Sequence, residues 1–179
     1  MDPDSRRDRV ADVTLGCLRT RGFALTTLDD VARAAGVGEA ELQAVFGDVE
    51  GLMRELVSPL LASLREVTTQ AAAVDLREPA QLRVVIEAYL DVLVAQRLLV
   101  GVILGDPAGA ASESVCLVRG AMVGFRDVLA GGTGSELDHR IRAASALGAV
   151  QAGVLEFTDL DAPTVRDVIT DAAVAILLS

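Results

Sequence analysis

The sequence predicts an all-α protein, and three observations carry that reading. Apolar residues, chiefly alanine, leucine and valine, recur at three- and four-residue spacing, the pattern of amphipathic helices. No run of alternating β-branched residues bounded by turns competes with it. Clusters of glycine, proline and aspartate at Arg21-Gly22, Ala35-Gly36, Gly47, 75–79, 106–111, 131–135 and 159–163 then divide the chain into about nine helical segments.

The first segment, 7–20, sets Val10, Val13, Leu15, Cys17 and Leu18 around an apolar face. Thr26 or Thr27 caps the next helix, with Asp29 or Asp30 three residues on completing a capping box. That helix stops at Gly36, the residue type suited to a left-handed C-terminal turn. A third begins near Gly38 and closes at Phe46-Gly47. Two short helices joined through Ala35-Gly36-Val37-Gly38 form a helix-turn-helix, whose later helix is placed to enter a DNA major groove. The chain is therefore divided into a head, 1–47, and a larger helical domain, 48–179.

Helix four begins at Asp48 or Val49, runs toward Val74, and is expected to bend at Pro59, whose ring removes the hydrogen bond to the Glu55 carbonyl. In the segment 80–99, Val85, Ala88, Tyr89, Val92 and Leu93 make an apolar stripe; in 114–129, Val118, Met122, Phe125 and Leu129 do the same. Helical spacing alone reads both stripes as core. In 135–157, Leu137, Ile141, Ala144, Gly148, Gln151 and Leu155 line one face, while Ala143, Leu147, Val150 and Val154 form a second. A helix that is apolar on two sides needs partners on two sides. With Val168, Ala172 and Ile176 of the segment 163–178, the residues Ile141, Ala144, Gly148, Gln151 and Leu155 are expected to form an isologous four-helix dimer interface. The alternative is that both faces are buried within one chain.

Charge and composition narrow the function. Sixteen basic residues, all arginine, stand against 26 acidic ones, a net charge of -10 that argues against a generally basic nucleic-acid coat while leaving room for a local patch. The mean hydropathy is +0.43, yet the longest uncharged stretch, Ala143 to Leu155, has 13 residues, too few to cross a bilayer. Residues 1–9 are charged with no apolar signal segment after them, so a soluble cytoplasmic protein is expected. Cys17 and Cys116 show no metal-ligand spacing and read as packing residues, so no metal or cofactor is expected. The sole histidine, His139, lies between Asp138 and Arg140 on a polar helix face, and Gly131-Gly132-Thr133-Gly134 lacks the lysine of a phosphate loop and follows a helix. Catalysis is not expected.

One ordered set of residues is more specific than any of these. Gly22-Phe23-x3-Thr27-x3-Val31-Ala32-x2-Ala35-Gly36-Val37, followed by Leu42-x3-Phe46-x3-Glu50-x-Leu52, resembles the DNA-binding domain of TetR-type transcriptional regulators. The match covers 9–56. The resemblance implies a homodimeric repressor, released from operator DNA by a small molecule. It implies DNA contacts by Thr27, Gly38, Glu39, Gln43 and Ala44, with Arg6 and Arg7 as an arm along the backbone. It places the effector among Tyr89, Leu93, Met122, Phe125 and Arg126. Arg119 and Arg126, two turns apart, either face inward toward an anionic ligand or are solvated.

The third helix departs from the family pattern. Gly38-Glu39-Ala40-Glu41-Leu42-Gln43-Ala44-Val45-Phe46 carries two glutamates and no basic residue, and Val49 stands where a phosphate-contacting lysine is frequent. Glutamates face phosphates with the wrong sign, although glutamate accepts from cytosine N4 and glutamine reads adenine. The alternative function is a TetR-like protein impaired in DNA binding, acting as a small-molecule binding module or heterodimer partner.

Overall fold

The computed structural model describes the backbone of residues 3–131, 136–157, 160 and 163–179, and the side chains of those from Arg7 onward. Among these residues lie nine α-helices and no strand: α1 Pro3–Arg21, α2 Leu28–Ala35, α3 Glu39–Phe46, α4 Val49–Ala72, α5 Pro79–Ala95, α6 Arg97–Gly105, α7 Glu113–Leu129, α8 Leu137–Glu156 and α9 Pro163–Leu178. Single 3-10 turns occupy Phe23–Leu25 and Pro107–Ala111. No single helix among the described residues is long and apolar enough to cross a membrane. Gly132, Thr133 and Gly134 of the glycine-rich connector lie outside the described residues.

The chain forms two compact units: Met1–Pro59 with Leu98–Arg119, and Leu60–Arg97 with Gly120–Ser179. Helix α4 runs through Pro59 as one 24-residue element shared between the units, and the segment 98–119 belongs with the N-terminal helices. The expected single helix 80–99 is also interrupted, since Gln96 leaves helical geometry at φ −116 and ψ 25.

In the first unit, local chemistry sets the helix ends. The Thr27 hydroxyl accepts from the Asp30 amide at 3.2 Å, and Asp30 Oδ2 accepts from the Thr27 amide at 3.2 Å, a complete capping box. Gly36, left-handed at φ 69, closes α2 by donating to the Ala32 carbonyl. Val10, Val31, Ala32, Ala35, Leu42 and Leu52 then bury together, with Val13, Cys17, Leu28, Val37 and Phe46 packed around them. Each large aliphatic side chain buried there contributes roughly 1.5–3 kcal/mol. The α3–α4 turn has its own requirement. Asp48 Oδ1 accepts from the Gly51 amide at 2.7 Å, and a Cβ on Gly51 would lie 1.8 Å from the Phe46 carbonyl oxygen.

The segment 98–119 is tied to these helices by polar side chains. Asp106 Oδ2 accepts from the Phe23 amide at 2.7 Å, while its Oδ1 accepts from the Ala108 amide at 2.8 Å. Glu50 Oε1 accepts from both the Ser114 amide and hydroxyl, at 2.7 and 2.5 Å. Arg119 donates to the Ile103 and Asp106 carbonyls at 2.7 and 3.2 Å, closing the C-terminal end of α6.

The second unit buries Leu82, Val85, Ile86, Tyr89, Leu90 and Leu93 of α5 and Ala143, Ala146, Leu147, Val150 and Val154 of α8. Gly153 lets α8 approach α9, for a Cβ there would come within 2.7 Å of Ile169. Arg83 pairs with Glu87, Asp167 and Asp171, and Arg166 with Asp91, linking α5 to α9 across the surface. Exposed pairs of this kind add little individually.

Candidate functional site

The helix-turn-helix presents a well-defined outer face on α3. With Leu42 facing the core, Gly38, Glu39, Ala40, Glu41, Gln43 and Ala44 are exposed, and Val45 is 61% exposed. Gly38 enters the helix from extended geometry, φ −75 and ψ 136, without a side-chain cap. The face thus carries carboxylates at Glu39 and Glu41, an amide at Gln43, and small apolar groups at Ala44 and Val45.

The acidic residues of α2 are matched by arginines of α1 and α2. Arg21 bonds Asp30 at 2.5 Å, and Arg33 pairs with Asp29 and, at 3.6 Å, with Asp30. The Thr27 hydroxyl donates to Asp30 at 2.9 Å; that bond, outweighing the opposing effect of burial and joined by the Thr27 amide and Arg21, holds the Asp30 carboxyl below its ordinary value of 3.8. Thr27 itself is exposed, yet its hydroxyl is already engaged in the cap. Arg7 is exposed; the Arg6 side chain lies outside those described.

No family model matches the chain. The chain is 31% identical over 87 residues, 48% of its length, to the HTH-type transcriptional regulator BetI of Burkholderia ambifaria, and 32% identical over 88 residues to that of Paraburkholderia phymatum. These matches cover 45% of each relative, so the chain spans about half the length of the curated relatives it matches. Solved structures extend the likeness to the whole chain. PfmR of Thermus thermophilus, a TetR family regulator, superposes with a TM-score of 0.66 at 20% identity, covering 96% of this chain and 95% of that one. A TetR-like regulator from a Rhodococcus species gives 0.69 at 20% identity over 99% and 96%.

The fold is the TetR-type fold.

In TetR-type terms, the second unit holds the residues expected to meet an effector. Tyr89, Leu93, Met122 and Phe125 are all buried. The Tyr89 and Phe125 rings stack with centroids 4.6 Å apart and planes 21° from parallel. Gln151 Nε2 donates to the Tyr89 hydroxyl at 3.0 Å, but burial outweighs that bond and pushes the phenol up to about 12. Arg126 is half-buried and forks onto its neighbour Asp127 at 2.9 and 3.2 Å, so it is already paired. Arg119 is half-buried and donates to carbonyls at the end of α6.

The faces of α8 are now distinguishable. Ala143, Leu147, Val150 and Val154 are buried within the chain. Ile141, Ala144, Gly148 and Leu155 are exposed, Ile141 to 55%, as are Ala172 and Val168 of α9, the latter to 64%. Ile176 is half-buried. Among the described residues, the face of Ile141, Ala144, Gly148 and Leu155 is left exposed. Gln151 departs from its expected place: half-buried, it turns its amide to Tyr89. His139 is exposed, as its polar neighbours suggest, whereas Cys116 is exposed rather than packed and donates weakly to the Ala110 carbonyl at 3.3 Å.

Three features escaped sequence reasoning. The Asp106 and Glu50 carboxylates find partners 83 and 64 residues away, and no local pattern announces such bonds. Asp106-Pro107 does signal a turn, though not what that turn touches. Gly51 falls within an otherwise ordinary helix start, where spacing alone says nothing of the Phe46 carbonyl beside it.

Proposed function

We propose that the chain is a cytoplasmic, homodimeric transcriptional regulator whose grip on operator DNA is released by a small molecule. The observation that carries this is the exposed α3 face, held on a capped helix-turn-helix within a TetR-type fold. The apolar strip of Ile141, Ala144, Gly148, Leu155, Val168 and Ala172 supports pairing with a second copy through α8 and α9, because such a face gains by burial. Gly38, Glu39, Gln43 and Ala44 are the base-reading positions, and Thr27, Arg6 and Arg7 lie along the backbone. The effector site is built around Tyr89, Leu93, Met122 and Phe125. A Bacillus subtilis FadR of similar fold, at a TM-score of 0.63 and 15% identity, was solved in complex with stearoyl-CoA, which supports an effector with a long apolar body.

A second reading is favoured by one observation. The α3 face carries Glu39 and Glu41 and no arginine, while Arg21 and Arg33 are matched by Asp29 and Asp30. Such a head suits a ligand-binding or heterodimer partner that has lost independent DNA binding. Selection from randomised duplex DNA at low and moderate salt separates the two. A palindromic site with a steep salt slope establishes the regulator; no enrichment at either salt establishes the alternative.

A further inference from the structure

The connection between α1 and α2 is held from a distant part of the chain. Gly22, at φ 76, turns the backbone out of α1, and its amide closes that helix on the Leu18 carbonyl at 2.8 Å. The next amide, Phe23, donates to Asp106 Oδ2. Thr26 donates back to the Gly22 carbonyl at 2.7 Å, and Thr27 then opens α2 with its capping box. Gly22, Phe23, Thr26 and Thr27 are thus each held between α1 and α2, and of these four the Phe23 amide is held from outside residues 1–47.

Asp106 is itself fixed before it reaches Phe23. Its second oxygen holds the Ala108 amide and its carbonyl accepts from Arg119, so the carboxylate is a preorganised acceptor. Packing reinforces the pin on both sides. A Cβ on Gly22 would lie 2.8 Å from Asp106 Oδ2, and a Cβ on the buried Gly109 would lie 3.1 Å from the Phe23 ring. Both glycines make room for this junction.

We propose that Asp106 is a positioning residue for duplex binding: by holding Phe23 it sets where α2 begins and so how α3 is presented, making 98–119 a working part of the DNA-binding head. This rests on the regulator reading above and adds a residue that fixes the head's geometry.

The test uses the full chain with Asp106→Asn, which cannot accept from both amides, Asp106→Ala, and Gly22→Ala, which pushes the carboxylate aside. Arg83→Ala is the control, since it removes the Arg83 pairs with Asp167 and Asp171 between α5 and α9 in the other unit. Amide hydrogen exchange at Phe23 and affinity for the duplex selected by the wild-type chain are measured together. The expected result is exchange at Phe23 faster by about tenfold, the worth of one hydrogen bond, and duplex affinity reduced by a similar factor in the Asp106 and Gly22 variants. Arg83→Ala changes neither, even where it lowers the unfolding midpoint as much. Unchanged exchange at Phe23, or duplex affinity no lower than in Arg83→Ala, overturns the proposal. Failure of the wild-type chain to select any duplex overturns the regulator reading and this one with it, and is recognised by occurring before any substitution is made. Should Asp106→Ala not fold, Asp106→Asn and Gly22→Ala carry the comparison.

Discussion

Tyr89 is the only tyrosine in a chain without tryptophan, so its ionisation can be watched without interference. The side chain is fully buried, stacked on Phe125, and bonded to Gln151. Burial disfavours the phenolate, and the folded chain holds the proton up to about 12, against an ordinary value of 10.0. The sign follows directly. Between those values the unfolded chain has released a proton that the folded chain retains, so stability is intact below pH 10 and falls as pH rises toward 12. A gap of two units corresponds to about 2–3 kcal/mol, a sizeable share of the 5–15 kcal/mol that holds a typical domain. Tyrosinate absorbance and helical circular dichroism, recorded together during alkaline titration, should change in one step well above pH 10. Tyr89→Phe should abolish the absorbance change and flatten the alkaline loss of stability. Tyrosinate appearing near pH 10 with the helices intact refutes the reasoning, for it would mean that water reaches the ring in the folded protein.

Other substitutions probe other links. Gly51→Ala should destabilise the chain by about 1–3 kcal/mol or more, because the Phe46 backbone has to shift; an unchanged thermal midpoint would show that the turn has slack. Gly148→Glu should leave the monomer folded, since Gly148 is exposed and a Cβ there meets nothing within 4 Å, yet shift sedimentation from dimer to monomer; a dimer that persists removes this face of α8 from the interface. Ser114→Ala should cost about 1 kcal/mol at neutral pH by removing the hydroxyl bond to Glu50. Burial acts to raise the Glu50 carboxyl, but the Ser114 hydroxyl and amide outweigh it and hold the group below its ordinary 4.5. That stabilisation is present above pH 4.5 and lost as pH falls through the lowered value, so wild type and Ser114→Ala should converge in acid. A gap that stays constant on acidification counts against the Glu50 bond as its source.

Local chemistry was the legible part of this sequence. Thr27, Asp30 and Gly36 each act within four residues of themselves, and the cap, the stop and the helix-turn-helix follow from their types. The two faces of α8 were likewise readable from periodicity as two separate stripes. What periodicity cannot convey is the direction of a long polar side chain at a face boundary. Gln151 sits between the two stripes, and the buried Tyr89 hydroxyl, needing a partner, draws its amide inward. Arg119 and Arg126 were ambiguous for the same reason, and carbonyls at the end of α6 claim the first while a sequence neighbour claims the second. The grouping of 98–119 with the N-terminal helices was the least legible feature, because Asp106 and Glu50 find their partners 83 and 64 residues away.

The division of labour around α8 has an evolutionary reading. Neighbouring positions such as Ala143 and Ala144 answer to different constraints, one to the interior of its own chain and the next to whatever surface comes to rest on it. On the pairing proposed above, a lineage can drift at Ala144, Gly148 and Leu155 without risking collapse, changing which subunits recognise one another while the protomer survives. Duplicated genes for such a protein would diverge first along that strip, and a random mutational library scored separately for soluble yield and for assembly should sort the helix into two interleaved sets.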